Sequence, residues 1–249
     1  MPRFDPGSPM ISRRLAGTTY GYSGTRLDDL SCSEYTLVSV ATDQSGSVSG
    51  FRADLEACLG EIVRACQQHP RAEQVMLRLS AFDGSLHELH GFKPLPTLDP
   101  ADYAGVLHPG GATALHDASL NAIGAVRSYG DTLAAQGFAV NGLVFVLTDG
   151  DDNASTAPAS QVAKEVQAAM ASEHLESLRT VLVGVGTQGA TAQTLMRFSA
   201  EAGFDDFLPL DQADATHLQR LSRFASQSIG LQSTALGSGS GSRSLSLTF

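Results

Sequence analysis

Residues 35–41, YTLVSVA, run without a break into residues 42–50, TDQSGSVSG, and this junction decides the fold of the chain. The first run is apolar and β-branched with no charge, which reads as a buried strand. The second is a short polar turn. Beyond it Phe51, Leu55, Cys58, Leu59, Ile62, Val63 and Cys66 recur at spacings of three and four, which places them on one face of a helix. Cys58 and Cys66 therefore read as core residues and not as ligands.

Working outward, residues 75–82 (VMLRLSAF) read as a second strand, and Asp83-Gly84 before SLHELHGF is a hairpin signal that sets a third strand antiparallel beside it. A Pro-rich connection, KPLPTLDP, and the loop HPGGAT lead to a helix pattern on Leu115, Ala118, Ala122, Ile123 and Val126. Residues 143–147 (LVFVL) are almost wholly apolar, the signature of a central strand covered on both faces, and end at Thr148-Asp149-Gly150. Further helix patterns fall on 162–170, 195–202 and 218–225, with strands at 180–185 (TVLVGV) and 207–210 (FLPL) between them. Strands and helices alternate. The pattern predicts an α/β fold, a doubly wound Rossmann-like three-layer sandwich with a mostly parallel six-stranded sheet and one antiparallel edge strand. Ligands of such sheets sit at the carboxyl ends of the strands, near a reversal of strand order.

Residues 1–33 are rich in Gly, Ser, Pro and Arg without a sustained period and read as an N-terminal arm. Residues 34–230 form the single domain. Residues 231–249 read as a Gly/Ser linker and a short C-terminal tail in which Leu245, Leu247 and Phe249 alternate. Two readings of the tail stay open: plain disorder, and a tethered strand that docks on a sheet edge and supports self-association.

The length of 249 residues suits one large α/β domain, and 42 % apolar against 17 % charged residues excludes a disordered chain or a coiled coil. The formal charge of -10 repels phosphate backbones and anionic lipid surfaces, so nucleic acid and membrane are not expected partners. Three cysteines, Cys32, Cys58 and Cys66, are too few for a disulfide scaffold. With no signal-peptide pattern and no apolar run of ~20 residues, the expectation is a cytoplasmic protein.

The turn after the first strand carries Asp43, Ser45 and Ser47, one carboxylate and two hydroxyls at alternating positions. Oxygen-only ligands of this kind suit Mg²⁺ better than zinc or copper. Two more oxygen donors, Thr113 in GGATAL and Asp149 in LTDG, stand at the mouths of loops that the sheet would bring together. Asp117 lies one helical turn after Thr113. It fits either a group orienting a ligand from behind or a solvated carboxylate favoured by the helix dipole. Asp151, Asp152 and Asn153 read as capping groups outside the metal's own ligands.

With Asp43, Ser45, Ser47, Thr113 and Asp149 in this order, the sequence resembles the von Willebrand factor A domain family, whose metal-ion-dependent adhesion site has the pattern D-x-S-x-S, then T, then D. The resemblance covers about residues 34–230. It implies a site for Mg²⁺, or Mn²⁺ or Ca²⁺, with one position left open for an Asp or Glu carboxylate of a protein partner, and a non-catalytic role. Stand-alone intracellular members of this family in bacteria work as adaptors beside AAA+ ATPases or beside kinase and phosphatase partners, and the resemblance implies that setting.

Two enzymatic alternatives rest on other motifs. Gly46-Ser47-Val48-Ser49-Gly50 matches the G-x-S-x-G nucleophile elbow, with Asp149 and then His174 or His217 in the order a serine hydrolase needs. Gly184 to Gly189 matches G-x-G-x-x-G between a strand and a helix, with Asp211 after the next strand, the outline of a dinucleotide site. His87 and His90, three apart on a strand, point to opposite faces and read as surface residues; His108 and His116 flank the GGAT loop as ordinary solvated histidines.

Overall fold

The structure, a computed structural model, describes residues 10–15 and 18–238. Eight strands, β1 (Met10–Arg14), β2 (Gly21–Thr25), β3 (Glu34–Asp43), β4 (Val75–Phe82), β5 (Leu86–Pro94), β6 (Ala139–Thr148), β7 (Leu178–Val185) and β8 (Asp206–Leu210), form one sheet. Its order is β1-β2-β5-β4-β3-β6-β7-β8. Strands β4, β3, β6, β7 and β8 are parallel neighbours, and β5 runs antiparallel to β4. Helices α1 (Arg52–Gln67) and α5 (Ala215–Ser238) pack on one face, and α2 (Leu115–Ala134), α3 (Ala159–Met170) and α4 (Gly189–Ala202) on the other.

The doubly wound α/β architecture is the one expected. Along β3 the alternation explains it: Val38 and Val40 turn toward α1 and α5, Leu37 and Ala41 toward α2, and all four are fully buried. A strand covered on both faces needs apolar residues at consecutive positions, which is what YTLVSVA supplies. Each such side chain contributes roughly 1.5–3 kcal/mol by leaving water.

Two strands more than the six expected are present, both within residues 1–33. β1 and β2 form an antiparallel hairpin, and β2 meets β5 at the single parallel pairing of Gly24 with Phe92. Their residues, MISRR and GYSGT, are mostly small, polar or exposed, so the hydrophobic alternation that reveals a strand is missing. Side chains from α2 hold the hairpin instead: Tyr129 Oη donates to the Thr25 carbonyl at 2.7 Å and Asn121 Nδ2 to the Gly21 carbonyl at 3.0 Å. A Cβ on Gly91 would lie 2.2 Å from the Ser23 carbonyl oxygen, so only glycine admits β2 this close to β5.

The antiparallel strand β5 is therefore not the sheet edge, which corrects the surface placement of His90. His90 is buried, and its Nε2 pairs with Tyr103 Oη at 2.8 Å, while His87 is exposed. The helix α5 runs through 231–238, a stretch read from sequence as linker, because its inward positions Ile229, Gln232, Ser233 and Leu236 keep helical spacing with only two apolar residues among them. The alternating Leu245, Leu247 and Phe249 lie outside the described residues. Among the described residues no helix is long and apolar enough to cross a membrane. Cys58 and Cys66 are buried core residues, as their spacing predicts.

Candidate metal centre

The chain adds β4 on one side of β3 and β6 on the other, so the strand order reverses between β3 and β6. A crevice opens at the carboxyl ends of such a pair. Asp43 is the last residue of β3, and Asp149 follows β6 directly. The two aspartates singled out in the sequence are thus brought to the same crevice by the topology.

Hydrogen bonds join four of the five predicted ligands in one chain. Asp43 Oδ1 accepts from the Ser45 backbone N–H at 2.7 Å, the Ser45 and Ser47 hydroxyls pair at 3.1 Å, and Ser47 Oγ donates to Asp149 Oδ1 at 2.9 Å. The D-x-S-x-S spacing accounts for this: the turn 46–50 is a single 3₁₀ element beginning after Ser45, which folds Ser47 back over Asp43. Asp43 is 1 % exposed, whereas Ser47 is exposed and Asp149 half-buried. The mouth of the site is therefore formed by Ser47 and Asp149 over a buried Asp43.

Thr113, 5 % exposed, is placed by a neighbouring loop. Its backbone N–H donates to Asn153 Oδ1 at 2.7 Å, and its carbonyl accepts from the N–H groups of Asn153 and Ala154. The same loop is tied to the Asp43 turn by Gly110 N–H to the Gln44 carbonyl, 2.9 Å, and Gly46 N–H to the Gly111 carbonyl, 3.5 Å. The Thr113 hydroxyl makes no hydrogen bond among the described residues.

The electrostatics oppose two bare carboxylates here. Burial pushes the Asp43 carboxyl up to about 6, against the stabilising hydrogen bonds from Thr148 and Ser45, and the charge of Asp149 adds to the rise. Burial also raises Asp149. Among the described residues no three His, Cys, Asp or Glu side chains converge as a metal cage. The donor set is instead two carboxylates and three hydroxyls, a hard, oxygen-only shell of charge -2 that fits a divalent cation such as Mg²⁺. A cation would offset the desolvation and repulsion that the two aspartates suffer.

Several nearby residues were not singled out as site residues by the sequence reading. Thr148 Oγ1 donates to Asp43 Oδ2 at 2.6 Å, and the Gln44 side chain bridges the Asp83 carboxylate and the His108 N–H. Thr148 precedes Asp149 in LTDG, and that position opposite Asp43 in the parallel register was its only signal. Asp117 does not face the crevice. Its carboxylate accepts the backbone N–H groups of Thr156, 3.1 Å, and Ala157, 2.9 Å, together with the Tyr20 hydroxyl, so it clamps the loop after the site to α2 and to the β1–β2 turn. That excludes the solvated reading. Asp152 accepts from the His116 N–H and Ser155 Oγ, the capping work expected of it, and His116 stacks on Phe198.

The rival motifs are not assembled into sites. His174 pairs with Asp131 and His217 with Asp214, and neither bonds to Ser47, whose partners are Ser45 and Asp149. In the 184–189 turn, Gly186 takes φ +65°, and a Cβ on Gly184 would lie 2.5 Å from Thr187 Oγ1. These glycines serve the tight connection from β7 to α4, off the switch point.

Sheet order, helix layers and crevice together define a von Willebrand factor A-like fold. Solved structures of this shape include the von Willebrand factor type A protein from Catenulispora acidiphila, with TM-score 0.52 and 13 % identity over 83 % of this chain and 44 % of that one. The ArnB paralog VWA2 from Sulfolobus acidocaldarius matches with TM-score 0.51 and 15 % identity over 80 % and 46 %. Proximal thread matrix protein 1 from the mussel byssus matches with TM-score 0.57 and 16 % identity over 80 % and 48 %. The chain thus spans about half the length of the structures it matches. No protein-family model and no curated protein matches the sequence.

Proposed function

We propose that the protein is a non-catalytic binding module. Asp43, Ser45, Ser47, Thr113 and Asp149 hold one divalent cation, Mg²⁺ or else Mn²⁺ or Ca²⁺, and a partner protein completes the coordination with an Asp or Glu side chain. The observation that carries this reading is the unbroken hydrogen-bonded chain from Asp43 through Ser45 and Ser47 to Asp149, laid across the crevice between β3 and β6. Two carboxylates neutralise the cation without saturating it. Its remaining Lewis acidity is directed at an incoming carboxylate, which a chain of net charge -10 would otherwise repel.

Within the site the chain's own groups divide the work. Asp43, buried and held by Thr148 and the Ser45 N–H, fixes the inner side of the shell. Ser47 and Asp149 stand at the mouth, where the partner arrives. The proposed setting is intracellular, beside an AAA+ ATPase or a kinase and phosphatase system, and the three free thiols are consistent with a reducing compartment.

The deciding experiment is calorimetric titration of the metal-stripped full chain with Mg²⁺ and Mn²⁺ beside Asp43→Ala. One saturable site, lost in the variant, is the expected result. No binding by the unaltered chain would overturn the proposal.

A further inference from the structure

A cavity of about 580 Å³ lies between the β1–β2 hairpin, β4 and α2, and none of the five proposed metal ligands lines it. Three guanidinium groups do: the exposed Arg13 and Arg14 of β1, and Arg78 of β4, which is 1 % exposed. A buried arginine is tolerated when its charge is matched. Glu88 matches it, accepting from Arg78 Nε at 2.7 Å, and Glu88 is itself saturated by the Ser23 backbone N–H at 3.1 Å and the Ser23 hydroxyl at 2.6 Å. Arg78 then donates from Nη1 to Ser39 Oγ at 3.3 Å and from Nη2 to Asn121 Oδ1 at 2.8 Å. Each of these nitrogens carries two hydrogens, so one N–H on each has no acceptor among the described residues.

With Arg78 and Glu88 cancelling, the cavity keeps the two positive charges of Arg13 and Arg14, neither of which forms an ion pair among the described residues. That is an unusual concentration in a chain of net charge -10. The other carboxylate nearby, Asp117, is occupied by the Thr156 and Ala157 amides and the Tyr20 hydroxyl. A phosphate monoester brings nearly two negative charges and three strong acceptor oxygens, which match two uncompensated guanidinium groups and two spare N–H donors. The volume exceeds that of the group alone and leaves room for its carrier against Tyr20 and Leu86.

We propose that this cavity binds the phosphoryl group of a small phosphorylated molecule, with Arg13 and Arg14 pairing with the dianion and Arg78 donating to it from within. Binding here needs no metal, which separates it from the site between β3 and β6. The test is calorimetry on the full chain in EDTA at fixed ionic strength, with inorganic phosphate, glucose 6-phosphate and adenosine monophosphate as probes and glucose and adenosine as controls. Saturable binding of at least one phosphorylated probe is expected, with none for the controls. It should weaken about tenfold or more in Arg13→Ala/Arg14→Ala, whose side chains are exposed, and persist in Asp43→Ala. Far-UV circular dichroism checks that the double variant is folded. The proposal is overturned if none of the three probes saturates, if the controls bind equally, or if a folded double variant binds as the unaltered chain does.

Discussion

The Thr148 hydroxyl donates to Asp43 at 2.6 Å across the β3–β6 pairing, so the two strands at the reversal of strand order are tied side chain to side chain as well as through the backbone. Thr148→Val keeps the shape and removes that donor. The buried carboxylate loses one of its partners, and the metal-free protein is expected to lose about 1–3 kcal/mol in urea denaturation. The Asp43 carboxyl should also titrate higher in the variant, read by NMR; an unchanged or lower value would contradict the role assigned to Thr148.

Asp43 makes the metal-free protein's stability depend on pH in a definite direction. Its carboxyl sits at about 6 in the fold against 3.8 unfolded, so the folded state binds its proton more tightly. That contribution is fully present below about pH 4 and is lost as pH rises through about 6. In EDTA the chain should lose on the order of 1–3 kcal/mol across this window relative to Asp43→Asn, in which the slope is absent. Stability that rises more steeply than in the variant over the same window would refute the account.

Asn153 positions Thr113 without belonging to the ligand set. Asn153→Ala removes the acceptor of the Thr113 N–H, 2.7 Å, and frees the loop at its outer end. Mg²⁺ affinity is expected to fall about tenfold, as for groups that orient metal ligands, with little change in melting temperature. An equal loss from a surface control such as Gln219→Ala would show the effect to be unspecific.

Glu88→Gln leaves Arg78 buried with its charge unmatched. The loss is expected to be about 2–4 kcal/mol by chemical denaturation, and Arg78→Met in the same chain should restore part of it, because the apolar replacement removes the stranded charge. If the double variant proves no more stable than Glu88→Gln alone, the pair is not the source of the cost.

How much of this was legible beforehand varies with the physics of each element. The central strands announce themselves, since burial on both faces demands continuous apolar residues, and Asp43, Ser45, Ser47 and Asp149 stand where those strands end. The hairpin of β1 and β2 left no hydrophobic period, because α2 and the Gly91 gap hold it rather than its own apolar surface. His90 was misplaced for the same reason: an antiparallel strand looks like an edge until the strand that covers it is found. Asp117 could not be assigned from sequence because its partners, Thr156 and Ala157, lie 39 and 40 residues away.

The sheet ends in β1 on one side and β8 on the other. Of its five residues β1 spends two on Arg13 and Arg14, and β8 carries Pro209, which has no N–H to offer a neighbour. Two copies meeting rim to rim would find like charge at one border and a missing donor at the other, which guards this molecule against fibrous growth by adding strands end on end.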